Sequence, residues 1–246
     1  MTGSGGAALR VGCCGFPVAR RRYYPVFQAV EIQQTFYQPP RLDTARRWRR
    51  EAPEGFVFTV KAWQLVTHPP SSPTYRRLSA PVAEGAKERL GWFRPTSEVA
   101  AAWTATLEIA LALEAEAVLL QCPRSFRPVP EHLEHFTAFL RSADRGGLRL
   151  VWEPRGPWPR RLVRTLCDEL DLVHCVDPLV DEAVTGGVLY YRLHGLTGYR
   201  YRYTEEDLDR LARQCRGREG YVFFNNIAMF EDAQRFLARV ERDAGE

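Results

Sequence analysis

The sequence has no C-x-x-C pair, although it holds six cysteines. Cys13, Cys14, Cys122, Cys167, Cys175 and Cys215 are scattered, several of them inside apolar stretches where a free thiol behaves as a small hydrophobe. That excludes the usual zinc spacings and a disulfide framework, and the expected compartment is a reducing cytoplasm. No apolar run approaches the roughly 18 residues that a membrane span needs. The opening MTGSGGAALR lacks the apolar core of a signal peptide, and residues 1–8 are expected to be a disordered tail. No internal repeat or low-complexity linker argues for a second domain. No G-x-S-x-G elbow is present, so nucleophilic serine chemistry has little support. The excess of one charge over the other is also small: 34 basic side chains minus 30 acidic ones give a net charge of +4. Arginine clusters at 20–22 and 46–50 read as solvated faces before phosphate grips.

What is present is a repeating texture. The chain has 246 residues, 45% of them apolar and 12% aromatic, enough for a substantial core. Short β-rich runs appear at 9–15, 29–37, 56–63, 117–123, 149–155, 172–178, 188–195 and 220–226. Amphipathic stretches lie between most of them, at 43–53, 97–113, 130–143, 160–171, 204–215 and 229–243. Asp43, Ser97 and Thr204 are the expected N-caps. Residues 16–28 have little helical signal. Residues 64–96 form a proline-bearing, loop-like insert, and 179–187 has room for only a helical turn. Eight strands alternating with helices over about 250 residues predict a single-domain α/β (β/α)8 TIM barrel with a long insert after strand 3. The rival open sheet lacks G-x-G-x-x-G after its first strand.

Barrel enzymes place their chemistry at the C-terminal ends of the strands, and alternation sorts which side chains point together. Strand 2 puts Glu31, Gln33, Thr35 and Tyr37 on one face. Strand 3 ends with Lys61, strand 4 with Gln121, strand 5 with Glu153 and Arg155. Asp177 ends strand 6, Arg192 and His194 end strand 7, Asn225 and Asn226 end strand 8. His68, in the insert, is placed to fold over the mouth. Burying such groups unpaired costs several kcal/mol each, so they must pair or line a hydrated cavity. Glu31, Glu153 and Asp177 balance Lys61, Arg155 and Arg192 in formal charge. The expectation is that these groups surround a shared space at the barrel mouth. There Glu31, Glu153 and His194 would transfer protons. Lys61, Arg155 and Arg192 would hold a phosphate or carboxylate. A divalent metal on Glu31, Glu153, Asp177 and His194 is possible but is opposed by the three cations and so not favoured, and the sequence indicates no other cofactor. Of Cys13 and Cys14 one should point inward, as a structural thiol in preference to a catalytic one.

Six segments occur in one order along nearly the whole chain: VEIQQTFYQPP, GFVFTVKAWQLVTH, LLQCPRSF, WEPR, YYRLHG and YVFFNN. In these the chain resembles the domain of unknown function 72 family, a set of bacterial and archaeal TIM-barrel proteins. The resemblance implies the fold and a shared set of polar positions, and it brings no activity with it. The matching positions are Glu31, Thr35, Tyr37, Lys61, His68, Gln121, Glu153, Arg155, Arg192, His194, Asn225 and Asn226. The sequence departs from the family pattern at Gln33, at Cys14-Gly15-Phe16, at Pro154 and at MFEDAQRF.

Three functions follow as expectations. The first is an enzyme acting on a small anionic substrate, a hydrolase, lyase or isomerase. The second is a nucleic-acid processing or binding protein using the arginine clusters. The third is a binding or scaffold protein presenting Phe16, Tyr23, Tyr24 and Phe27, for which a packed loop is the favoured alternative. No membrane partner is expected, and the sequence names no protein partner.

Overall fold

The structure is a computed structural model and describes residues 9–245. The expected tail at 1–8 lies outside them. Eight parallel strands form a closed barrel in sequence order. They are β1 (Leu9–Cys14), β2 (Ala29–Ile32), β3 (Val57–Lys61), β4 (Ala117–Gln121), β5 (Arg149–Glu153), β6 (Leu172–Val176), β7 (Leu189–Leu193) and β8 (Gly220–Phe224). The longer helices follow the amphipathic stretches: α3 (Leu42–Glu51), α5 (Ser97–Ala112), α6 (Pro130–Ser142), α7 (Arg160–Leu170), α8 (Glu205–Cys215) and α9 (Met229–Gly245). Three single turns, α1 (Arg20–Tyr23), α2 (Gln34–Tyr37) and α4 (Gln64–Thr67), fill chain ordered as loops or strand in the sequence reading. No described helix is long and apolar enough to cross a membrane.

The differences from expectation have local causes. β2 stops at Ile32, and Thr35 and Tyr37 belong to α2. Thr35 Oγ1 donates to the Lys61 carbonyl at 2.6 Å, with the Ile32 carbonyl 3.1 Å away, which favours a wound backbone over an extended one. Asp43 and Ser97 lie inside their helices; the caps are Arg41, without a side-chain bond, and Thr96, whose hydroxyl accepts from Val99 N. Thr204 is the cap as expected, in a reciprocal capping box with Asp207. The insert is not a bare loop: it contains α4 and two 3₁₀ turns, Pro73–Arg77 and Glu84–Arg89. The link from β6 to β7 holds turns and no helix.

The barrel divides into two compact units, one of residues up to Glu31, Pro53–Val57 and His174 onward, the other of Ile32–Ala52 and Phe58–Val173. In the first, β1 pairs with β2 and β8, and β8 with β7. Gly220 opens β8 at φ +143°, where a Cβ would lie 2.2 Å from the Leu189 carbonyl oxygen. Only glycine permits that approach. Tyr23 bridges β1 and β2, accepting from Cys13 N at 2.7 Å and donating to the Ala29 carbonyl at 2.9 Å. It packs with Phe16, Phe27, Phe56 and Phe230. These aromatics form a packed loop: Tyr23 and Phe27 are buried. In the second unit β4 pairs with β3 and β5, and Phe93, Phe126, Phe136 and Trp152 form a buried aromatic core beneath α5 and α6.

Candidate functional site

Two groups of strand-end side chains result, one in each unit. Glu31, Arg192, His194, Asn225 and Asn226 belong to the first; Thr35, Tyr37, Lys61, His68, Gln121, Glu153 and Arg155 belong to the second.

In the first unit the register sets Cys14 beside Glu31 across β1 and β2. Glu31 is fully buried. One carboxylate oxygen accepts from Arg192 Nε at 3.1 Å and lies 3.0 Å from Arg192 Nη2; the other accepts from Tyr190 Oη at 2.7 Å. The Cys14 thiol donates to the same carboxylate at 3.3 Å. Tyr190 and Arg192 alternate along β7, so both reach the same side of the strand. Cys14 is the inward thiol of its pair; Cys13 turns the other way and donates to the Met229 carbonyl. Burial and the adjacent Glu31 push the Cys14 thiol well above its ordinary range, with Arg192 opposing them. A neutral thiol is a poor nucleophile. Glu31 and Arg192 are enclosed by these partners and 0% exposed.

Past the ends of β7 and β8 the polar groups are less enclosed. His194 is half-buried. Its backbone N–H donates to Asp177 Oδ2 at 2.9 Å, and its Nδ1 lies 3.1 Å from Asn225 Nδ2. With the amide nitrogen as donor, Nδ1 accepts and the ring proton sits on Nε2. Asn226 differs from its neighbour. It is fully buried, and its Nδ2 donates to the Tyr201 carbonyl and to Asp232 Oδ2, both at 2.7 Å. Through these two bonds Asn226 ties the loop after β7 to the first turn of α9.

In the second unit Lys61 ends β3, 5% exposed, with Nζ 3.6 Å from the Phe36 ring centroid. Thr35 is fully buried and its hydroxyl holds the Lys61 carbonyl. It positions the end of β3. Tyr37 follows, its ring 5.0 Å from that of Phe36. His68 is buried just beyond α4, its Nδ1 2.7 Å from Thr67 Oγ1 and its ring 4.9 Å from Phe36. Burial, and secondarily Lys61, lower its pKa to about 3. It is therefore a fixed, neutral group at the start of the insert. Glu153 ends β5 and is paired in register with Gln121 at the end of β4. Its carboxylate lies 2.6 Å from Arg155 Nη2, and the Arg155 side chain is 36% exposed against 6% for Glu153. A buried carboxylate thus holds an arginine whose side chain is partly exposed.

Sequence reasoning missed Tyr190 and Gln64. Tyr190 shares the parity of Arg192 in LYYRL, and that signal was available. Gln64 is fully buried on α4; its Nε2 donates to the Tyr37 carbonyl at 3.3 Å, while its Oε1 has no partner among the described residues. Nothing in VKAWQLVTH marks the turn that buries it. No group of three His, Cys, Asp or Glu side chains among the described residues is gathered for a metal.

A family model described as "Protein of unknown function DUF72" matches residues 19–246. The chain belongs to the DUF72 family. A DUF72 protein of Enterococcus faecalis has a similar structure, with a TM-score of 0.73 at 18% identity over 98% of each chain. For a DUF72 protein of Thermotoga maritima the TM-score is 0.69 at 23% identity, over 95% of this chain and 99% of that one. Endonuclease IV of Thermus thermophilus matches at 0.55 and 16% identity, over 95% and 98% of the two chains. At these identities the likeness is one of fold. No curated protein matches the chain.

Proposed function

We propose that this DUF72 protein is an enzyme that transfers protons on a small molecule bearing a phosphate or carboxylate. The observation that carries the reading is the pair at the end of β5, buried Glu153 holding half-exposed Arg155. Strand C-terminal ends are where barrels of this type place their chemistry. A guanidinium is matched in shape to an anion, and it can engage one without releasing its carboxylate, because it offers five N–H donors. Glu153 is then the proton acceptor of this unit, Arg155 and Lys61 the groups that compensate negative charge, and Gln121 the adjacent hydrogen-bonding residue. In the first unit His194 is the proposed proton carrier, with Asn225 fixing its tautomer as an orienting partner does.

The nucleic-acid reading draws less support. Arg46, Arg47 and Arg49 each face a carboxylate, of Asp43, Glu51 and Glu114 at 3.5, 3.7 and 3.8 Å, so much of that cluster is neutralised by its neighbours. The scaffold reading loses its main feature, because Tyr23 and Phe27 are core residues.

The test is turnover of a panel of sugar phosphates and hydroxy acids by the wild type and by Glu153→Gln. The proposal expects at least one member to react, and the variant to lose roughly 10²–10⁴-fold in rate with its folding intact. Undiminished turnover by Glu153→Gln, or no turnover of any member by the wild type, overturns it.

A further inference from the structure

The insert after β3 carries a cation that the β5 pair does not account for. Its two 3₁₀ turns, Pro73–Arg77 and Glu84–Arg89, contain no buried residue. Apolar burial is what ordinarily fixes a segment, and regions without it open at little cost. This one is fastened by polar and aromatic contacts instead. Ser79 donates through its N–H and Oγ to Gln38 Oε1, at 3.4 and 3.0 Å. Tyr75 Oη donates to the His68 carbonyl at 2.8 Å. The Arg77 guanidinium lies 3.5 Å from the centroid of the Tyr37 ring. Tyr37 in turn packs on Phe36, whose ring faces Lys61 Nζ. The result is a row: exposed Arg77, two aromatic rings, buried Lys61. No carboxylate among the described residues pairs with Arg77, whereas Arg89 at the far end of the segment is paired to Glu98 at 2.7 Å.

We propose that Arg77 is an anion-binding residue delivered by the 70–89 segment and stored on the Tyr37 ring until a ligand arrives. An exposed cation–π contact is weak, and a bidentate guanidinium–phosphate or guanidinium–carboxylate pair is stronger. An anion held near Lys61 therefore draws Arg77 off the ring, and the segment closes with it. The ligand supplies the differential affinity that such a shift requires. This inference rests on the anion-site reading above.

The experiment uses the full chain and two probes, inorganic phosphate and succinate. Anion affinity and amide exchange in 70–89 are measured for the wild type, Arg77→Ala, Tyr37→Leu and Arg155→Ala. In the wild type at least one probe should bind and slow exchange across 70–89. Arg77→Ala should bind that probe about tenfold more weakly and show no slowing. Without anion, Tyr37→Leu should exchange about two- to fivefold faster across the segment, the factor that an exposed cation–π contact corresponds to. Wild-type affinity and slowing in Arg77→Ala overturn the inference, as does unchanged exchange in Tyr37→Leu. If Arg155→Ala alone loses anion binding, the inference falls and the functional reading stands. If the wild type binds neither probe, both fall.

Discussion

His68 should make the stability of the protein depend on pH in a window that can be isolated. The imidazole is 4% exposed and stands beside Lys61. Burial, then the lysine charge, lowers its pKa from an ordinary 6.5 to about 3. Between those values the unfolded chain binds a proton at this position and the folded protein does not. Stability then falls as pH falls, from below about 6.5 until the loss is complete near 3. At pH 5.0 the medium is about one and a half pH units below the unfolded value, at about 1.4 kcal/mol each, so His68 accounts for a loss of about 2 kcal/mol. The perturbation is His68→Asn, and the assay is urea unfolding of both proteins at pH 7.5 and 5.0. The substitution has its own packing cost, which is present at both pH values and cancels in the difference of differences. The wild type should lose about 2 kcal/mol more than the variant between the two conditions. Equal losses would refute the reasoning, because they would mean that His68 takes up its proton at the same pH folded and unfolded.

Arg192→Met should cost about 3–5 kcal/mol in urea unfolding, since it leaves the buried Glu31 carboxylate without its cation. Adding Glu31→Gln should recover part of that loss, and strict additivity would contradict the pairing. Gly220→Ala should destabilise by about 2–4 kcal/mol, because a methyl group there meets the Leu189 carbonyl at a backbone angle that alanine resists. A neutral effect would contradict the close approach. All six cysteines are buried as free thiols. A thiol reagent should therefore modify none quickly in the native protein and all six on unfolding; fast native labelling of Cys14 would contradict its enclosure by Glu31 and Arg192.

The strands were legible because each is a short apolar run bounded by turn residues, and that pattern needs no tertiary information. The end of β2 was not. Glu31, Gln33, Thr35 and Tyr37 alternate as a strand would, and over the four residues of α2 a period of two cannot be told from one helical turn. Thr35 decides the matter through a bond to the Lys61 carbonyl, 26 residues away, which no local pattern contains. The caps at Arg41 and Thr96 lie within two residues of the expected ones, the ordinary slippage where several polar residues adjoin a helix start. Parity selected polar strand ends, and it could not separate enclosed groups from open ones. Arg192 and Asn226 read like Arg155 and Asn225 in sequence, yet the first two are 0% exposed and the other two are only half-buried. That difference is set by partners such as Glu31, Cys14 and Asp232, on other elements. The Arg77–Tyr37 contact joins the insert to α2 across 40 residues and has no sequence signature at all.

The most direct measurement is a crystal structure of the protein soaked with phosphate or succinate. The account predicts an ordered anion against Arg155 at the end of β5, with the Glu153 contact retained. An anion bound only elsewhere, with Arg155 closed onto Glu153 and offering no donor to the ligand, would contradict it.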